Sequence, residues 1–346
     1  MTAYAELLET LPEKQETWLV TGVAGFIGSH LAETLLRLGQ KVRGLDNFAT
    51  GDKKNLVDML AKAGPGRQAD FEFMEGDVRS RQTCRDACAS VDYVLHQAAL
   101  GSVPRSLENP LASNETNING FLNMLDAARA DNIRSFVYAS SSSVYGDSPD
   151  LPKREARTGN PLSPYAVTKA ANELYARVFA LNYGFRSIGL RYFNVFGERQ
   201  NPRGPYAAVI PQWFAAALLG GNIYINGDGK TSRDFCFIEN CVQANLLAAR
   251  AATPEAWNRV YNVAAGRNTS LNQLCAMIRR EAAAVLPPDH PAGQSSVIHR
   301  DFRPGDMRHS LADISLAKRF LGYAPEYALE QGLARCSRWY AEQGNR

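Results

Sequence analysis

A chain of 346 residues, 45% of them apolar, is long enough for one large domain or two ordinary ones around a sizeable core. Its 38 basic and 35 acidic side chains leave a net charge of +3, too little to imply nucleic acid or an anionic membrane as a partner. The acidic start "MTAYAELLETLPEKQE" lacks the apolar segment of a secretion signal, and no run of about 18 apolar residues could cross a membrane, so a cytoplasmic protein is expected.

The first half alternates strand and helix signals. "TWLVTG" reads as a buried strand and "FIGSHLAETLLRLG" as a helix that stops at Gly39. "KVRGLD" and "FEFMEGD" are further strands; "RQTCRDACAS" is helical and "VDYVLHQAA" a strand. "TNINGFLNMLDAARAD" is a helix, "SFVYASS" a strand, "SPYAVTKAANELYARVFALNYG" a long helix, and "RSIGLRYF" a strand. Strands separated by helices imply right-handed crossovers. The expected fold is α/β, a Rossmann-like doubly wound parallel sheet.

Beyond about residue 195 the texture changes. "GERQNPRGPYA" reads as a loop, "AVIPQWFAAALLGG" as a helix, and "NIYINGDGK" as a strand and turn. "RDFCFIENCVQANLLAARAA" is a strand running into a helix, and "VYNVAAG" a short strand. "SLNQ", Ser270 to Gln273, has the form of a capping box, and "LPPDHPAGQSS" reads as an exposed loop. These shifts predict a nucleotide-binding domain over 1–195, to which the chain returns at about 235–265. A smaller α/β substrate domain is expected over 196–346. The six cysteines contain no C-x-x-C pair and the five histidines no metal-ligand spacing, so reduced buried thiols and no metal are expected.

"TGVAGFIGSH" places Gly22, Gly25 and Gly28 between a strand and a helix. Glycines there let the backbone approach a pyrophosphate, which sits at the positive helix N-terminus that Phe26 and Ile27 open. Asp46, followed by Asn47, ends the second strand. A carboxylate at that distance accepts from ribose hydroxyls and repels a 2′-phosphate, which favours NAD over NADP. Asp77, beside Val78, suits the adenine edge; a plain turn aspartate fits the same position.

"SPYAVTK" sets Tyr165 and Lys169 four residues apart, on one helix face. Bringing a tyrosine from a pKa of about 10 to near 7 takes roughly 4 kcal/mol. An adjacent ammonium and the positive ring of an oxidised nicotinamide could supply it. The resulting phenolate can take a proton from a sugar hydroxyl while hydride leaves. The run "YASSSSVYG" at 138–146 precedes this pair, at the tip of a strand.

Together the glycine motif, "HQAA" (96–99), the serine strand, Y-x-x-x-K, "RYFNVFG" (191–197) and "RPGDMRHS" (303–310) resemble the extended short-chain dehydrogenase/reductases. Within them the chain resembles most the bacterial UDP-N-acetylglucosamine 4-epimerases of polysaccharide biosynthesis. The resemblance implies NAD contacts at Gln97, Ala98, Ala99 and Tyr192 besides those above. It makes Ser141 the catalytic serine, with Tyr165 and Lys169. Ser142 and Ser143 stand where sugar-nucleotide dehydratases carry Asp and Glu, which points to oxidation followed by re-reduction rather than loss of water.

The same resemblance implies a UDP-sugar substrate. Asn194, Arg233 and Arg303 would meet the diphosphate or sugar, Asp306 the ribose, and Tyr224 the uracil. Ser102 and Ser142 would also contact substrate, with Val209 beside it. Gly101, Ala208 and Ser310 would be small walls that leave room for a 2-acetamido group. Arg105 is a candidate partner for a C6 carboxylate, which keeps a uronate 4-epimerase open as the alternative, ahead of a dehydratase or decarboxylase. A homodimer through two helices, one bearing Tyr165, is implied too.

Overall fold

In the computed structural model, which describes residues 1–202, 207–287, 295–302 and 307–344, seven strands form one sheet. They are β1 (Thr17–Thr21), β2 (Lys41–Asp46), β3 (Phe71–Glu75), β4 (Tyr93–His96), β5 (Ser135–Ser141), β6 (Ser187–Tyr192) and β7 (Arg259–Val263). The order across the sheet is β7-β6-β5-β4-β1-β2-β3. Every neighbouring pair is parallel. Connections leave β1 to one side and β4 to the other, so a crevice opens beyond the carboxyl ends of these two strands, where such sheets bind ligands.

Alternation along β1 shows why the sheet is buried on both faces. Trp18 and Val20 join one apolar cluster, with Leu31, Leu35 and Tyr261. Leu19 joins another, with Val94, Phe121 and Phe136. Period-two strands flanked by helices on both faces require this near-continuous apolar composition. A third cluster gathers Trp213, Phe214, Ile223, Leu274, Leu333 and Tyr340 from the last part of the chain.

Several elements differ from the sequence reading. The stretch 115–130 is not one helix: Glu115–Gly120 is a π-turn that runs into helix Phe121–Ala130. The opening segment forms helix Ala3–Thr10, capped by Thr2, whose Tyr4 and Leu7 enter the core. "GSVPRSLENPLASN" contains two short helices, Val103–Glu108 and Pro110–Asn114, each opened by a side-chain cap and an early proline. The strand foreseen in "RDFCF" is two-residue pieces: Ser232–Arg233 pairs with Thr269–Ser270, and Cys236–Phe237 with Val195–Phe196. The capping box at Ser270 is present, with both reciprocal hydrogen bonds. All six cysteines are buried and free.

Candidate active site

The glycine turn is built by close approach. Gly22 has φ +70°, and a Cβ there would lie 2.9 Å from the Ala98 backbone nitrogen. A Cβ on Gly28 would sit 2.1 Å from the Gly22 carbonyl oxygen. The turn after β1 therefore packs against both the "HQAA" turn after β4 and the helix Phe26–Arg37. Gly25 is the N-cap of that helix and supplies no side-chain cap, which leaves a helix N-terminus of the kind that takes an anion.

Asp46 is buried at the end of β2, where its carboxylate accepts from Ala24 N at 2.9 Å and Phe48 N at 2.8 Å. Burial pushes its pKa up, against those two amide bonds. Asn47 donates to Asp77 at 2.8 Å. Arg79 holds the Asp77 carboxyl below its ordinary range. Val78 is buried beneath, against Gly120. Across the crevice, Tyr192 OH donates to Gln97 Oε1 and meets Asn245, each at 3.1 Å. Ala98 N donates to Thr21 Oγ1, which also bonds His96. Ala99 follows, half-buried. A turn that leaves no room for a Cβ, a helix N-terminus without a side-chain cap and a carboxylate one strand away fit a dinucleotide.

The second half of the site lies at the tip of β5. Ser163 caps helix Pro164–Tyr183 by accepting from Ala166 N, and Pro164 takes the first helical position. Tyr165 and Lys169 lie on one face, with Lys169 Nζ 5.9 Å from the Tyr165 ring centroid. Lys169 is 3% exposed and donates to Ala139 O at 2.8 Å. Burial pushes its pKa down to about 8, against the pull of Glu173. Burial pushes the Tyr165 phenol's pKa up, and the nearby Ser141 hydroxyl pulls it back. Ser141 also accepts from Ser143 N and so opens the turn Ser142–Tyr145. In the protein alone, the phenol is thus raised rather than brought towards 7.

A cavity of about 460 Å³ begins at Ser102, and Gly101, Ser141, Ser142 and Tyr165 are not among the described residues that line it. Ser102, Asn194, Ala208, Val209, Tyr224 and Arg233 line it. Ser102 and Asn194 hold positive φ, at +97° and +33°. Arg233 donates to the carbonyls of Ser232 and Arg308. The Arg300 guanidinium lies 3.4 Å from the Tyr224 ring centroid. A Cβ on Gly101 would meet nothing within 4 Å. Ser310 is 2% exposed, donates its amide to Ser232 O, and is not among the described residues that line the cavity. Arg303 and Asp306 lie outside the described residues.

Other residues join the site that the motifs did not single out. Asn117, in the π-turn, accepts from Leu100 N and donates to Leu100 O and Thr168 Oγ1, linking the "HQAA" turn to the Tyr165 helix. Ser106 accepts from Tyr165 N. Asn245 sits in a helix buried almost throughout. A polar residue inside such an apolar helix was the available signal; Ser106 carried none.

The sheet order, glycine turn and tyrosine–lysine helix define an α/β nucleotide-dependent enzyme of the extended short-chain dehydrogenase/reductase type. Residues 18–264 match the model of the NAD dependent epimerase/dehydratase family. The chain belongs to that family, NAD is its cofactor, and it is an enzyme of the epimerase class. A UDP-glucose 4-epimerase of Mycolicibacterium smegmatis is 36% identical over 323 residues, 92% of this chain and 96% of the relative. A UDP-glucuronate 4-epimerase of Thermodesulfobacterium geofontis is 31% identical, covering 94% and 96%. The solved UDP-N-acetylglucosamine 4-epimerase of Methanobrevibacter ruminantium, in complex with UDP-N-acetylmuramic acid, is 37% identical with TM-score 0.84, covering 95% of this chain and 99% of that one.

Proposed function

We propose that the protein interconverts UDP-N-acetylglucosamine and UDP-N-acetylgalactosamine by inverting C4 through a transient 4-keto sugar. The observation that carries this reading is the tip of β5, where Ser141 ends the strand and Ser142 and Ser143 follow in place of an acid pair. Glu173, the carboxylate that reaches this tip, is engaged by Ser140 and Arg191. Elimination of water needs an acid or base that this tip lacks.

Tyr165 takes the proton of the 4-hydroxyl, which Ser141 orients by hydrogen bond. Lys169 stabilises the resulting phenolate as a cation. NAD, when bound, supplies the acceptor for the C4 hydride, the donor that returns it, and a positive ring that lowers the phenol's pKa. The keto sugar turns over while the diphosphate stays anchored, with Arg233 and Asn194 at the cavity wall. Tyr165 then gives the proton back to the 4-oxygen. The cofactor is held by the turn at Gly22, Gly25 and Gly28, by Asp46, and by the Gln97–Tyr192 wall.

The small Ala208 wall of the cavity supports an acetamido sugar, as does the 37% identical N-acetylglucosamine epimerase. Uronate epimerisation is the second reading, favoured by the glucuronate relative and by Arg105 in the helix next to Ser102. Incubation without added cofactor over UDP-glucose, UDP-N-acetylglucosamine and their uronates tests both. UDP-N-acetylgalactosamine as the main product is expected; turnover confined to a uronate would replace the substrate assignment.

The same reading takes 1–195, with the return through β7, as the NAD domain and most of 196–346 as the substrate domain. It also takes the protein as a cytoplasmic homodimer. Six free buried cysteines suit a reducing compartment, and no described helix is long and apolar enough to span a membrane. Val167, Leu174, Val178 and Leu181 form an exposed apolar stripe on the Tyr165 helix, continued by Leu107 and Leu111.

A further inference from the structure

Tyr165, Lys169 and Glu173 follow one another at intervals of four and share a helix face. Two consecutive residues at the tip of β5 are tied to them: Ala139 O accepts from Lys169 Nζ at 2.8 Å, and Ser140 Oγ donates to Glu173 Oε1 at 2.6 Å. Ser141 follows next and ends the strand. Glu173 is itself fixed. Arg191 grips it through two parallel bonds, Nε to Oε1 at 2.9 Å and Nη2 to Oε2 at 2.7 Å. Arg191 stands beside Ser140 in the β5–β6 register and is 3% exposed. Its remaining arm donates to Tyr145 OH at 3.0 Å, and Tyr145 passes the chain on to Asn262 at 2.6 Å. Ser141 therefore lies between two anchors, Ser140 and Tyr145, that hold the same buried ion pair.

We propose that Glu173, clamped by Arg191, is a positioning residue that holds the tip of β5 on the catalytic face of helix Pro164–Tyr183 and so sets how Ser141 and Lys169 meet Tyr165. Stability alone is a weak reason to keep such a pair, because a buried ion pair often contributes no more than an apolar replacement of equal volume. Its geometry does supply direction: a forked guanidinium admits one carboxylate orientation, and that orientation presents an oxygen to Ser140. A displacement of about 1 Å at a reacting group can cost on the order of a hundredfold in rate. The carboxylate also faces the Lys169 ammonium and favours its charged form.

This inference rests on the reading of Tyr165, Lys169 and Ser141 as the proton-transfer residues, so Tyr165→Phe is measured alongside. Ser140→Ala removes one hydroxyl and leaves the ion pair intact; Glu173→Gln removes the charge. In Ser140→Ala, kcat is expected to fall about tenfold with KM for the UDP-sugar unchanged. In Glu173→Gln, the alkaline limb of the kcat–pH profile is expected to move down by about one unit. A purely structural role would lower the amount of folded enzyme without moving that limb or splitting kcat from KM. Wild-type kcat in Ser140→Ala overturns the proposal, as does an unmoved limb in folded Glu173→Gln. If Glu173→Gln does not fold, Ser140→Ala decides alone. Full activity in Tyr165→Phe would instead sink the underlying reading.

Discussion

Ser106 Oγ accepts the backbone N–H of Tyr165 at 3.0 Å, across 59 residues of sequence. Ser163 already satisfies the next amide, of Ala166. The first turn of the helix that carries the proposed base is thus capped twice, once from its own flank and once from the short helix Val103–Glu108, whose start lines the cavity. Removing the second acceptor leaves a buried donor unpaired. Ser106→Ala should cost about 1 kcal/mol of stability and lower kcat several-fold, read by thermal unfolding and turnover. Wild-type values in both would remove the cap from the mechanism.

The charge on Lys169 sets a pH limit. Its pKa lies at about 8, pushed down by burial. The ammonium is present below that value and lost above it, so turnover should fall as pH rises through about 8. Lys169→Arg keeps a cation at every accessible pH. It should retain a fraction of the turnover and lose this limb, which a kcat–pH series would reveal.

At the glycine turn, the Cβ of Gly28→Ala would press on the Gly22 carbonyl, backbone against backbone. Neither side yields as a flexible side chain would. Overpacking of about 1–3 kcal/mol at the cofactor turn corresponds to a roughly five- to 150-fold loss of NAD affinity. Calorimetric titration of the NAD-stripped variant measures it. Unchanged affinity would show that the turn relaxes.

Leu174 and Leu181 are 64% and 75% exposed on the Tyr165 helix. Uncovered leucines one or two turns apart are costly in a monomer and productive in an interface. The double substitution Leu174→Glu, Leu181→Glu should turn a dimer into a monomer by light scattering at micromolar concentration. A monomeric parent would remove the homodimer.

Much of the fold was legible because it depends on short periods. Period-two apolar runs broken by amphipathic helices specify a parallel doubly wound sheet, and the seven strands of the main sheet fall where those runs lie. Ser270–Gln273 was readable as a cap because all its partners lie within four residues. The π-turn at Glu115–Gly120 was not, since a one-residue widening of a helix leaves the apolar pattern almost unchanged. The helix Ala3–Thr10 was passed over because its acidic surface hides two residues, Tyr4 and Leu7, that become core only against the rest of the chain.

The serine run shows the same division within the site. By itself the sequence determined that a run of four serines lies at the tip of a strand and precedes a tyrosine–lysine helix, and that no acid stands among them. Only the tertiary structure decided what each serine does. Ser141 opens the turn that follows the strand, Ser140 meets Glu173, and Ser106, from the short helix Val103–Glu108, caps the Tyr165 helix. The reason is physical: local patterns set which residues share a helix face or a strand, through backbone geometry. Which hydroxyl reaches which partner depends on the register of β5 against β6 and on how the helix lies across the strand tip. Both are fixed by packing between segments far apart in the chain.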